Sequence, residues 1–198
     1  MSQDNALHLS LDIRGYWIVS AGYGLGALHD EVCVRDPDGL PYVPGRHLRG
    51  LLRHAVACQD AAMADVLFGE CIDGQTASIG EPEGTVAGGC LRVDSAQLPE
   101  KERDWFRRGG QSKARNLLFR TLYATAVDPG TGTAANRTLR TIEVAVPLQM
   151  KAHVSTLATC PGGRDWRAAI LQALPLIRAL GKHRHGGMGR VVVTEDTP

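Results

Sequence analysis

Residues 40–55 read LPYVPGRHLRGLLRHA, and the fold turns on how this stretch is parsed. Two prolines, Pro41 and Pro44, keep its first part extended, because the residue before a proline is driven out of the helical region. After Pro44-Gly45, the residues Leu48, Leu51, Leu52 and Ala55 recur at helical spacing and make one apolar face. The opening turns of that helix carry Arg46, His47, Arg49 and Arg53. A helix N-terminus already bears partial positive charge, so cations there are mildly unfavourable unless an anion is near. The stretch poses a chemical question: which negative groups do these side chains face?

Upstream, residues 6–20 alternate, with Leu7, Leu9, Leu11 and Ile13 on one side and His8, Ser10 and Asp12 on the other, the pattern of a half-buried strand. A glycine-rich loop follows at 21–31, then VCVRDPDGLPYV reads as two short strands about an Asp-Pro-Asp-Gly turn. Downstream, a second helix is expected over 61–68, ending at Gly69. Residues 70–89 are polar and acidic, a surface excursion. CLRVDSAQL restores a strand pattern, and KERDWFRRGGQSKARN, charged and poorly patterned, reads as a mobile loop. LFRTLYATAV and TIEVAVPLQMKAHVSTLA then make a long hairpin around a small-residue tip. DWRAAILQALPLIRALG is an amphipathic helix that Pro175 kinks or ends. A glycine loop, KHRHGGMG, feeds a last strand. This order predicts an α+β chain of ferredoxin-like plan, an antiparallel sheet covered by helices and elaborated by insertions.

Aromatic residues make up only 5% of the 198-residue chain, so Leu, Val, Ile and Ala must build the core. Lys and Arg number 22 against 21 Asp and Glu. That balance excludes a bulk polycation but permits a local basic groove. The five cysteines are odd in number and lack a C-x-x-C pair, which argues against a disulfide framework and for a reducing, cytoplasmic setting. Cys58, Cys71 and Cys90 with His54 offer a loose zinc set; buried free thiols are the simpler reading. No apolar run is long enough to cross a bilayer, and the first residues lack the pattern of a secretory signal.

The C-terminal loop carries Lys182, His183, Arg184 and His185 before Gly187 and Gly189. Closely spaced glycines let backbone N–H groups approach an anion, and the basic side chains supply charge for phosphate oxygens. The order is not that of a P-loop. Together with PGRHLRG, it makes a second basic, glycine-containing turn. Two such turns on one side of a sheet form a groove for a ribose-phosphate strand, and RNA phosphates then answer the question of the helix start.

PYVPGRHLRGLLRHA resembles the Pro-Gly-x-x-Leu-Lys/Arg-Gly signature of the RAMP superfamily found in CRISPR effector complexes, and LGKHRHGGMGRVVV resembles its C-terminal glycine-rich loop and strand. LFG at 67–69 and the TIEVAVPLQMKAHV segment fall where similar segments lie in type III backbone subunits. The resemblance implies a modified RNA-recognition fold in one domain, 1–198. Its core covers about 6–60, 88–98, 118–127 and 141–194, with an insertion at 69–88, a mobile loop at 99–117 and a thumb tip at 127–140. It implies binding of guide CRISPR RNA and target RNA, assembly with other effector subunits and with neighbouring copies of the chain, and target cleavage by a loop aspartate with Mg²⁺ or a similar ion.

Counting back from Asp36-Pro37 puts Asp30 at the aspartate position, as catalytic residue and metal ligand, with His29 beside it. The RNA-binding set is Arg46, His47, Arg49, Arg53, Arg137, Arg140, Lys182, His183, Arg184, His185, Gly187 and Gly189. Two positions depart from the family pattern: Gly186 stands where a basic residue is expected, and Lys182 where a second glycine is. The thumb segment is also short of apolar wedge residues. Three other readings stand beside this one: a structural guide-RNA subunit without chemistry, a guide-processing endoribonuclease using His29 or His47, and a small-molecule phosphate-binding domain.

Overall fold

The computed structural model describes residues 6–24, 29–69, 89–109, 111–126, 128–135, 138–157, 160 and 165–197. Strand β1 (Ala6–Ile13) is followed by helices α1 (Gly45–Ala57) and α2 (Ala61–Phe68) and by strand β2 (Leu91–Val93). Helices α3 (Glu100–Arg107) and α4 (Ser112–Asn116) precede strands β3 (Phe119–Ala124), β4 (Arg140–Ala145) and β5 (Leu148–Thr156). Helix α5 (Trp166–Ala173) and strand β6 (Val191–Glu195) complete the chain.

Four strands pair in the order β2-β5-β1-β6, antiparallel throughout. Two strand–helix–strand passages, β1 to β2 and β5 to β6, interleave in that order, which is the ferredoxin-like plan the sequence predicts. Leu7, Leu9, Leu11 and Ile13 bury one face of β1 in the same apolar cluster as Met150, Ala152 and Val154 of β5 and Leu48, Leu52, Ala55 and Val56 of α1. His8, Ser10 and Asp12 lie on the opposite, polar face, across from His153, Lys151 and Gln149.

Helix α1 begins at a close approach. A Cβ on Gly45 would lie 2.4 Å from the Val93 carbonyl, so only glycine lets the helix start against the end of β2. The Gly45 N–H donates to Ser95 Oγ at 3.0 Å, a neutral partner from the same neighbourhood. Helix α2 is capped by Asp60, whose carboxylate accepts from the Met63 N–H at 2.9 Å, and it ends at Gly69 as its sequence predicts. Its carbonyl end is where two of the α1 arginines go. Arg49 donates to Phe68 O at 2.6 Å and Leu91 O at 2.7 Å, while Arg53 pairs with Asp65 at 2.6 Å and reaches Gly69 O at 3.4 Å. Cations at a helix C-terminus satisfy orphan carbonyls and complement the macrodipole. For Arg49 and Arg53, the negative partner is helix α2.

Three expectations change. Residues 99–117 are not an irregular loop but contain α3 and α4. Helix α3 fully buries no residue; Phe106 packs partly buried against the core, and charge does the rest of the docking. Arg103 donates to Gln97 Oε1 at 2.6 Å and lies 3.8 Å and 3.6 Å from the carboxylates of Asp36 and Asp38, and Arg107 bonds Asp38 at 2.9 Å. Next, the second arm of the long hairpin is two strands: β4 pairs with β3 in a two-stranded sheet, while β5 belongs to the core sheet. β4 continues through Val146-Pro147 into β5, and the fully buried Trp17 clamps that junction. Its backbone exchanges hydrogen bonds with Ala145 (3.1 and 2.8 Å), and its indole N–H donates to Val146 O at 2.9 Å. Finally, the Asp-Pro-Asp-Gly turn is flanked by a single bridge, Arg35 to Pro41, in place of two strands. α5 stops at Ala173 and passes into a 3-10 turn, Leu174–Leu176, as Pro175 requires. The 70–88 part of the expected insertion lies outside the described residues, as does part of the hairpin tip.

Replacing Arg49 by Met keeps the aliphatic stem but strands the Leu91 and Phe68 carbonyls. The expected loss is about 2–4 kcal/mol of stability, read by denaturant unfolding as a lower midpoint with unchanged m.

Candidate nucleic-acid interface

The two basic turns meet. The Gly181 N–H donates to His47 Nε2 at 3.0 Å, joining the first turn of α1 to the start of the C-terminal loop across 134 residues of chain. The loop is a tight antiparallel return: Leu180 N–H donates to Gly189 O at 2.9 Å, and Ala179 bridges Arg190. Gly189 has φ +68, and a Cβ there would sit 2.0 Å from the Leu180 carbonyl, so the return closes only on glycine. Its floor is residues 16–18. Lys182 N–H donates to Ile18 O at 2.8 Å and Gly189 N–H to Tyr16 O at 2.8 Å. Because Trp17 in turn holds the β4–β5 junction, these backbone bonds fasten the loop to the core, and Lys182 to His185 stay exposed.

His183 is the single non-glycine residue with positive φ among the described residues, at +56. A histidine tolerates this left-handed region better than a branched residue, at some cost. Its ring and Lys182 both turn to one carboxylate. Glu31 pairs with the Lys182 ammonium and lies 3.6 Å from His183 Nε2. Partial burial raises the Glu31 carboxyl, but hydrogen bonds from Lys182, Ser20 and His183, with the Lys182 charge, outweigh it and hold the group below its ordinary range. The sequence reading missed Glu31; its place beside Asp30 was the available signal.

Glu31 also belongs to the segment that carries Asp30. That segment lies alongside β4: Asp30 N–H donates to Thr141 O at 2.9 Å and Glu143 N–H to Glu31 O at 2.8 Å. The Asp30 carboxylate accepts from Thr141 N–H at 2.7 Å through Oδ2, and the residue is exposed. His29 Nε2 lies 2.9 Å from Thr121 Oγ1, while its Nδ1 is enclosed without a partner among the described residues. The glycine loop and the aspartate are thus neighbours through a single residue, Glu31.

The other expected residues divide. Arg46, Arg184 and His185 are exposed and have no protein partner among the described residues. Gly187 lies at the exposed turn. Arg140 is exposed at the start of β4 and pairs in register with Ala124; next to it are Tyr123, 71% exposed, and Leu139, 63% exposed. Those two supply apolar surface on a hairpin that the sequence reading took to be short of it. Arg49 and Arg53 face α2, His47 faces the Gly181 amide, and Arg137 lies outside the described residues. Among the described residues no three His, Cys, Asp or Glu side chains gather as a metal site. Cys71 of the zinc set lies outside them, Cys90 is buried and Cys58 is exposed beside His54. Burial pushes the Cys33 thiol up to about 12. No helix among the described residues is long and apolar enough to cross a membrane.

A family model described as the RAMP superfamily matches residues 11–192. Two solved structures of a type III-B Cmr-beta complex each contain a chain similar to this one. In the complex bound to cognate target RNA the TM-score is 0.63 at 9% identity; in the apo state it is 0.65 at 10% identity. Both alignments cover 96% of this chain and 96% of the other. At such identities the likeness is one of fold. No curated protein matches.

Two outcomes follow from the geometry. His47 accepts at Nε2 and must be neutral to do so; burial, then the charge of Arg184, hold its pKa below the ordinary imidazole value. The unfolded chain takes up that proton near pH 6.5 and the folded chain only lower, so stability falls as pH drops through that window. In His47→Gln, whose side-chain oxygen can still accept from Gly181, thermal unfolding from pH 7.5 to 5.5 should show a smaller loss of stability with falling pH than in wild type. In Glu31→Gln, the Lys182 and His183 side chains lose their anion, and amide exchange across residues 182–188 should accelerate while that of β1 and β5 stays unchanged.

Proposed function

This chain belongs to the RAMP superfamily, and from that premise we propose that it is an RNA-binding subunit of a type III CRISPR effector complex. The observation that carries the proposal is the His47–Gly181 junction. It sets exposed Arg46, Lys182, Arg184 and His185 around one glycine return, one residue removed in contact from Asp30. Guide RNA phosphates lie against that return, with the charge-assisted bonds that basic side chains give phosphate oxygens. Target RNA pairs with the guide beside the β3–β4 hairpin, where Tyr123, Leu139 and Arg140 are exposed. Other effector subunits and neighbouring copies of the chain are its protein partners. The fold shared with chains of a target-RNA-bound type III-B complex supports this reading.

Asp30 is the residue to which we assign cleavage of target RNA. Its Oδ2 is oriented by the Thr141 N–H and the residue is exposed, which supports the reading in which its carboxylate takes the proton of a ribose 2′-hydroxyl. The 2′-oxygen then bonds to the adjacent phosphorus as the 5′-oxygen leaves. A divalent ion such as Mg²⁺ would be held by Asp30 together with RNA oxygens and water, and when bound it offsets negative charge developing on the phosphate. A second reading, a structural guide-RNA subunit without chemistry, draws support from the Thr141 bond, which occupies part of that carboxylate. The guide-processing reading loses ground, since both His29 and His47 use Nε2 inside the protein.

Asp30→Ala in an assembled complex separates the first two readings. The expected result is a fall in target cleavage of at least about a hundredfold with guide binding kept; unchanged cleavage leaves the structural reading standing. The binding claim itself rests on a salt titration. Affinity for long single-stranded RNA should exceed that for short oligonucleotides and fall as salt rises, with a slope of about −0.7 per neutralised phosphate. Equal affinity at every length, indifferent to salt, favours a small-molecule phosphate site instead.

A further inference from the structure

The glycine return does not end the basic surface. A groove of about 370 Å³ runs between α1 and the segment after α5; its lining includes His54, Arg178, Arg184 and His185. A second groove, of about 430 Å³, lies between that same segment and β6, with Arg14, Arg178 and Arg190 at its rim. Ile177, Arg178 and Ala179 line both, so Arg178 stands on the ridge where one groove passes into the other. Neither lining contains an Asp or Glu. Arg178 and Arg190 are exposed and have no side-chain partner among the described residues. Arg14 is partly engaged, its Nε 2.7 Å from Asp12 Oδ2 at an exposed pair. The walls between the arginines are apolar: Leu174, Ile177, Val191 and Val193.

We propose that Arg14, Arg178 and Arg190 form a second phosphate-binding stretch, which carries single-stranded RNA from the glycine return over Arg178 into the groove beside β6. The inference rests on the RNA-binding reading and adds to it Arg14 and Arg178, which neither glycine segment contains, and Arg190, which follows the glycine return. Arg178 and Arg190, unpaired among the described residues, and Arg14, shared with Asp12, supply donors for successive phosphates. The apolar floor gives an unstacked base or a ribose a surface to lie on, the combination that sequence-tolerant single-strand binding uses. Continuity through Arg178 favours RNA over an acidic peptide laid along the edge strand β6, because a peptide would have no reason to follow the ridge to Arg184 and His185.

The test uses the purified full chain and fluorescent oligouridylates, a short one that the glycine return alone can fill and a long one that spans both grooves. The double variant R178A/R190A is compared with R184A and with R108A, an exposed arginine at the end of α3 that serves as a charge control. In R178A/R190A, affinity for the long RNA should fall about tenfold and its salt slope should shallow by about 1.4, with short-RNA affinity unchanged. R178K/R190K should recover most of the loss, and R108A should behave as wild type. If R184A weakens both RNAs while R178A/R190A binds the long RNA as wild type does, the groove is not part of the path and the RNA reading survives. The groove assignment is equally overturned if polyglutamate, but not RNA, loses affinity in R178A/R190A. If neither R184A nor R178A/R190A alters binding, both this inference and the reading beneath it fail.

Discussion

One hydrogen bond, from the Gly181 amide to His47 Nε2, determines how the rest of the interface is arranged. Its net energy is modest, of the order of 1 kcal/mol. Its consequence is geometric. It seats the C-terminal glycine return on the first turn of α1, and the return is then bonded to residues 16–18, which Trp17 fixes to the β4–β5 junction. Residues 16–18, the start of α1, the β4–β5 junction and the glycine return are held together by backbone bonds and by the His47 and Trp17 rings. The side chains of the loop are left to face outward.

That arrangement explains how a chain with a net charge of +1 presents a basic surface. Its arginines fall into two populations. Arg49 and Arg53 close the carbonyl end of α2, Arg35 pairs with the buried Glu143, and Arg103 and Arg107 fasten α3 to the 36–38 turn. These are inward uses of charge, each matched by a carboxylate or a carbonyl. Arg46, Arg178, Arg184 and Arg190 have no such match among the described residues, and all four are exposed. The basic surface therefore comes from which arginines are matched inside the fold, not from the net charge.

Much of the fold was legible because local rules and tertiary packing agreed. The alternation of β1, the Pro44-Gly45 start of α1, the Gly69 stop of α2, and the break at Pro175 each follow from the residues concerned. Helices α3 and α4 were not legible, because Trp105 and Phe106 are adjacent and make no helical repeat; α3 is stabilised by pairs with Asp36 and Asp38 that lie more than 60 positions away. The site was legible at the level of segments. PGRHLRG and KHRHGGMG do meet, and Asp30 does lie beside them. Individual roles were not, since periodicity places a residue on a helix but does not say which way a long side chain turns. Arg49 and Arg53 turn to α2, and Glu31, unremarked in sequence, holds Lys182 and His183.

The most direct measurement is photo-crosslinking of the chain to single-stranded RNA carrying 4-thiouridine, with the adducts located by mass spectrometry. The account predicts adducts in both segments, around residues 45–50 and 180–190, with neither labelled without the other. Adducts confined to the polar face of the sheet, at His8, Lys151 and His153, with none in either segment, would contradict it.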